Sequence, residues 1–271
     1  MGVLNAPVFC FGLDSGLTSR RKRRAHPVAA QIIMVASGKG GTGKSTVSVL
    51  LGSRLAAAGK KVLLIELDSG LRSVDIIAGA AGRTVYDISD VLCGRCDWRK
   101  AIVESPVYKG LSLISAPYER GNVQPQQLAK LTRKMARHYD FILVDTAAGL
   151  GAPFAAAMVV SQMALLVLTQ DPVALRVGHI AADVLFEGGF SNVRLVMNRV
   201  GPSTFDKGAV ADLDECIDTV AVQLIAVIPE SAALLKSTAA GEALPENTLA
   251  WRAFDNLARR ILGQQVPLAV R

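Results

Sequence analysis

From residue 31 onward, short apolar runs alternate with longer stretches in which apolar residues recur every three or four positions. The runs at 32–36, 62–66, 111–116, 141–145, 165–169, 193–198 and 224–228 are nearly continuous in Val, Ile, Leu and Met. Such runs predict strands buried on both faces, as in a parallel sheet. The intervening segments 44–58, 124–138, 172–186, 231–240 and 246–262 carry helical periodicity. Strand and helix in alternation predict an α/β fold: a mostly parallel twisted sheet with helices on both faces. In the last helix Leu249, Phe254, Leu257 and Ile261 fall on one face, and Gly263 is placed to end it.

One stretch resembles a membrane span. Residues 146–170 contain no charged side chain, which is long enough to cross a bilayer. Gly149, Gly151, Pro153, Ser161 and Gln162 interrupt it, so it reads as a loop, a short apolar helix over 153–160 and a buried strand over 164–169. No internal repeat and no second domain are visible.

The first strand leads into Ser37-Gly38-Lys39-Gly40-Gly41-Thr42-Gly43-Lys44-Ser45-Thr46. Within it, Gly38-x4-Gly43-Lys44-Ser45 is a phosphate-binding loop between a strand and a helix, the context this pattern requires. The four glycines let successive N–H groups turn inward round an anion. The helix start adds its positive dipole end. Lys44 is expected to reach the β- and γ-phosphates, and the Ser45 hydroxyl to ligate Mg²⁺. Lys39 is a second lysine that an ordinary phosphate loop does not need. With the loop comes a class: a P-loop NTPase.

Two other strands end in carboxylates, Ile65-Glu66-Leu67-Asp68 and Leu143-Val144-Asp145. An apolar strand ending in aspartate holds Mg²⁺ in such enzymes. Asp68 and Asp145 are therefore expected on the same side of the sheet as the loop, where a carboxylate can also orient the attacking water. Asn198 ends a later strand, and its amide could meet an adenine edge or simply form a turn.

Composition narrows the partners. The 271 residues are 51% hydrophobic and 20% charged, enough for a substantial core. The formal net charge is +7, but Arg20, Arg21, Lys22, Arg23 and Arg24 against Asp14 put +4 in the first thirty residues. The remainder carries +3, too little for a chain coated in DNA. Four cysteines (Cys10, Cys93, Cys96, Cys216) form no small disulfide framework, in keeping with a reducing cytoplasm. His26, His138 and His179 adjoin no nucleophile motif.

Residues 1–30 read as a separate leader: a disordered tail, the product of a start site placed too far upstream, or a weak membrane-surface anchor. Its apolar stretch precedes its basic cluster, the reverse of a secretory signal. Residues 31–263 are expected to form one nucleotide-binding domain, and 264–271 a short tail.

Taken together, the loop with its extra lysine resembles the deviant Walker A motif of the MinD/ParA group of P-loop ATPases. Ser69-Gly70-Leu71-Arg72-Ser73-Val74-Asp75 is similar to the switch segment of its MinD branch and of the flagellar regulator FlhG. Val85-Tyr86-Asp87, Asp145-Thr146-Ala147-Ala148-Gly149, Asn198-Arg199 and Ile228-Pro229-Glu230 fall where that family places similar runs. The likeness spans about 31–263. It implies a homodimer that forms on binding ATP and Mg²⁺ and hydrolyses ATP slowly. Lys39 would cross to the partner's phosphates, Asp68 would position the hydrolytic water, and Asp145 would support Mg²⁺. Asn198, Arg199 and Pro229 would hold adenine. The implied role is a spatial switch in division-site placement, regulated by a protein partner. It would act in the cytoplasm or peripherally at the inner face of the cell membrane.

Two departures stand out. Glu66 takes a place where the family often has aspartate. The C-terminus lacks the usual basic amphipathic helix, since only eight residues follow Gly263, Pro267 among them. Three other readings compete: a ParA-like DNA or cargo ATPase, an FlhG-like regulator, and a metal-cluster carrier using Cys93-Gly94-Arg95-Cys96.

Overall fold

The structure is a computed structural model that describes residues 29–119, 123–201 and 212–268. The leader at 1–28 lies outside the described residues. The strands are β1 (Gln31–Ala36), β2 (Val62–Glu66), β3 (Val103–Glu104), β4 (Leu111–Ile114), β5 (Phe141–Asp145), β6 (Met163–Leu168), β7 (Val193–Val200) and β8 (Leu224–Pro229). The helices are α1 (Lys44–Ala57), α2 (Ser73–Ile77), α3 (Ile88–Leu92), α4 (Pro125–Met135), α5 (Ala152–Val160), α6 (Pro172–Glu187), α7 (Leu213–Val220), α8 (Ala232–Ala240) and α9 (Leu249–Ile261).

All eight strands join one sheet in the order β3-β4-β2-β5-β1-β6-β7-β8. Every pairing is parallel except the two-residue edge strand β3, which runs antiparallel to β4. β1 lies between β5 and β6. α1 leaves β1 for one face, while α5 leaves β5 for the other. The crevice where those connections diverge is where α/β sheets bind ligands, and the phosphate loop opens there.

Successive strand residues point to opposite faces, which splits the core in two. Ile32, Met34, Leu63 and Ile65 pack with Leu128 and Met135 of α4, Phe154 of α5 and Leu185 of α6. Ile33, Val35, Leu64 and Leu143 pack with Leu51 and Leu55 of α1 and Phe254 and Leu257 of α9. α1 is buried nearly all round because α2 and α9 cover the side the sheet does not. Its weak amphipathicity follows from that burial.

The uncharged stretch at 146–170 resolves into α5 and β6. Among the described residues no helix is long and apolar enough to cross a membrane. The strand expected over 111–116 stops at Ile114, since the chain turns there to meet the segment after β2. Sequence periodicity did not reveal α2, α3, β3 or α7, which are short and owe their place to tertiary contacts. The tail to residue 268 is tied to the body. The Arg260 guanidinium donates to the carbonyls of Ile225 (2.8 Å), Val266 (3.0 Å) and Pro267 (2.6 Å).

Phe154 is fully buried between the sheet and α5. Phe154→Ala is expected to cost about 3–5 kcal/mol. In a thermal melt the midpoint should fall by about 10 °C.

Candidate functional site: a phosphate loop flanked by three strand-end acids

Gly43 caps α1 with φ +95°, a left-handed conformation that favours glycine. A Cβ there would come 2.2 Å from Nδ2 of Asn198. The close approach is needed because Asn198 Nδ2 donates to the Thr42 carbonyl at 2.7 Å. The end of β7 thus clamps the loop's backbone. Gln170 Nε2 donates in turn to the Asn198 carbonyl at 2.7 Å. Asn198 is buried, and its Oδ1 has no hydrogen-bond partner among the described residues. Its place in the loop was not legible in the sequence, where it reads as an adenine contact or a turn. Arg199 follows with φ +58° and is exposed; Pro229 ends β8, with β6 and β7 between it and the strand that leads into the loop.

Lys44 is 6% exposed. Its Nζ meets only the Ser37 hydroxyl, at 3.5 Å, among the described residues. Burial lowers its pKa, opposed by the charges of Asp145 and Asp68. A buried ammonium without a carboxylate in contact is a site made for an anion. Ser37 also accepts from Thr42 (3.0 Å) and donates to the Lys39 carbonyl (2.5 Å), closing the loop on itself.

Asp145 is fully buried at the end of β5. It accepts from the hydroxyls of Ser45 (2.7 Å) and Ser48 (2.8 Å). Burial lifts its pKa to about 6, against those hydrogen bonds and Lys44. Ser73 donates to Ser45 at 3.0 Å. In the β2–β5 register Glu66 lies beside Asp145. Its carboxylate accepts from the backbone N–H of Val74 (3.1 Å) and Ala116 (3.3 Å). Burial, with Asp145 adding repulsion, still lifts its pKa to about 8. Asp68, half-buried, is also raised by burial while Lys44 pulls it down. These oxygens suit a hard divalent cation such as Mg²⁺: Ser45 and Asp145 are already paired at its expected place, and Asp68 and Glu66 are close by.

The switch segment is pinned from below. Arg72 sits in the left-handed region at φ +45°. Its Nε donates to the Ala116 carbonyl at 2.7 Å, Nη2 lies 3.4 Å from Asp87, and the guanidinium stacks 3.7 Å over Tyr118. Asp75 is buried and accepts the hydroxyls of Ser115 and Thr84. Leu71, between these anchors, is left 70% exposed.

Lys39 makes a 2.7 Å ion pair with Asp171 of its own chain. Burial raises the Asp171 pKa, but the bonds from Lys39, Thr169 and the Ala174 N–H bring it below the usual value. Both side chains are more than a third exposed, so the pair holds weakly and can be exchanged. Sequence reading missed Asp171, Ser37 and Ser48. Asp171 had a signal, since it follows an apolar strand as Asp68 and Asp145 do. The serines had none. Cys93 is exposed and Cys96 half-buried. Among the described residues no further His, Cys, Asp or Glu joins Cys93 and Cys96 in a metal-ligand cluster.

Loop, helix dipole, buried lysine and strand-end acids define a P-loop NTPase. An AAA domain family model matches residues 30–180. The septum site-determining protein MinD of Synechocystis is 34% identical over 88% of this chain and 91% of its own length. Among solved structures, the MinC:MinD cell division protein complex of Aquifex aeolicus matches with a TM-score of 0.82 and 34% identity. That match covers 88% of this chain and 98% of the other. MinD of Pyrococcus horikoshii complexed with Mg-ADP matches with a TM-score of 0.77 and 26% identity, over 86% and 96%. The chain belongs to the MinD/ParA family of P-loop ATPases.

Glu66 holds its proton more tightly in the fold than its ordinary 4.5. In the metal-free protein its burial penalty is therefore absent below about pH 4.5, grows as pH rises and is complete above about pH 8. Glu66→Gln should flatten the fall in melting temperature across that window. An unchanged slope in melts at pH 5, 7 and 9 would assign the dependence elsewhere.

Proposed function

We propose that this chain is a MinD-like ATPase that dimerises on binding ATP, hydrolyses it to ADP and phosphate, and serves as a spatial switch in division-site placement. The observation that carries the reading is a loop with two lysines in different settings. Lys44 is buried beside the Ser37 hydroxyl with no carboxylate in contact; Lys39 is at the surface on an exchangeable ion pair. Exposed Leu71 and Tyr118 beside the switch segment support a partner face there.

The chain's own groups divide the work. The loop's N–H groups and Lys44 hold the β- and γ-phosphates and neutralise charge as it develops on the leaving oxygen. Ser45 and Asp145 would hold Mg²⁺, which when bound would neutralise phosphate charge. Asp68, half-buried with a raised pKa, orients the attacking water. Lys39 leaves Asp171 and crosses to the phosphates of the second subunit, so that dimer formation reports ATP. Asn198, Arg199 and Pro229 line the adenine side. The reaction is in-line transfer to water, slow until a protein partner accelerates it. The Aquifex structure is of MinD with MinC; a partner of that kind fits the dimer here. The chain would act in the cytoplasm or peripherally at the inner face of the cell membrane.

One observation favours a second reading, a ParA-like DNA ATPase. The outer face of α4 carries Lys130, Arg133 and Lys134, with Arg137 just beyond, and the helix has no acid. ATP-dependent retardation of non-specific DNA, weakening steeply with salt, would move the assignment there.

Lys44→Ala should abolish nucleotide binding. Lys39→Ala should bind ATP as a monomer yet give no ATP-dependent dimer in light scattering. A Lys39→Ala protein that still dimerises with ATP overturns the role given to Lys39. Asp68→Ala should dimerise but release phosphate at least about tenfold more slowly.

A further inference from the structure

A cavity of about 590 Å³ lies away from the phosphate loop, at the other end of α1, between that helix, the turn at 107–110 before β4, and α9. Fourteen residues of α1 separate the two places, about 21 Å of helix. The volume falls within the range of small-molecule sites, roughly 300–1,000 Å³.

Its walls are aromatic and its charge is one-sided. Trp251, Phe254 and Tyr108 line it, and Tyr108 is fixed by a hydrogen bond from its hydroxyl to the Glu242 carbonyl (3.2 Å). Three lining cations, Arg54, Lys60 and Lys109, outnumber the lining acid Glu246 and Asp255, the ion-pair partner of Arg54. The Arg54 guanidinium stacks 4.4 Å over Trp251. Its Nε is buried 3.6 Å from Asp255 and makes no hydrogen bond among the described residues.

We infer that this cavity binds a small organic anion: a planar apolar body against Trp251 and Phe254, and a carboxylate or phosphate held by Arg54 with Lys60 and Lys109. A planar guanidinium pre-stacked on an indole is the group that pairs best with such an anion. A neutral ligand would forgo the attraction of the lining cations, and a cation would meet their excess of positive charge. The C-terminal end of α1 presents its negative pole nearby, so attraction must come from these side chains. The site is independent of the nucleotide reading, because none of its residues belongs to the loop or the strand-end acids.

Anilinonaphthalene sulfonate, an anionic aromatic dye that brightens in apolar surroundings, tests it on the full chain. One dye per chain should bind saturably. Phenyl phosphate or phenylacetate should displace it, and the more effective competitor identifies the anionic group. Lys109→Glu, an exposed change that spares the core, should weaken binding about tenfold. Arg54→Gln should abolish saturable binding. Saturating ATP should not displace the dye, and Lys44→Ala should bind it as the native chain does. Non-saturable binding, equal affinity for Lys109→Glu, or displacement by ATP each overturns the inference.

Discussion

A parallel sheet covered by helices on both faces leaves water and ligands only one kind of opening, the ends of its strands. Ionisable groups placed there are partly desolvated, and the structure uses this at the C-terminal ends of β1, β2 and β5. Glu66 and Asp145 are buried at the ends of β2 and β5, and Lys44 is buried where α1 begins after the loop that follows β1. Each charge is costly alone. Asp145 is held by two serine hydroxyls and Glu66 by two backbone N–H groups, while Lys44 has only a distant hydroxyl. The imbalance leaves a site short of negative charge on its phosphate side and rich in oxygens on its metal side.

The same desolvation explains why the loop needs support from far along the chain. Glycines let the backbone curve round an anion, but they also make it floppy. Asn198, at the end of β7, takes the Thr42 carbonyl, and Gln170 braces Asn198 in turn. Gly43 is glycine twice over: its φ is positive, and a side chain would displace that amide. Chain segments about 150 residues apart therefore share one backbone turn. The switch segment is built likewise, with Arg72 buried under Tyr118 and tied to the residues after β4.

Legibility in the sequence followed the length and strength of each pattern. Strands at 62–66 and 141–145 coincide with β2 and β5 because both are apolar runs cut off by an acid or a turn. α1, α6 and α9 were expected within a few residues of where they lie. α2 and α3 are five residues each, too short for periodicity to register. Of the site, the loop, Asp68 and Asp145 were visible because a local motif or a strand end marked them. Ser37, Ser48 and Asp171 were not singled out, since a serine or an aspartate has many ordinary uses.

The sequence by itself determined the alternation of elements, the anion loop between β1 and α1, and the family. These depend on contacts within a few residues, where residue type and spacing suffice. Only the tertiary structure decided which hydroxyls reach Asp145, that Lys39 rests on Asp171, that Asn198 clamps Thr42, and that a cationic aromatic cavity opens at the far end of α1. Each joins segments distant in sequence, and their distances are set by the order and stagger of the strands, which no local pattern encodes.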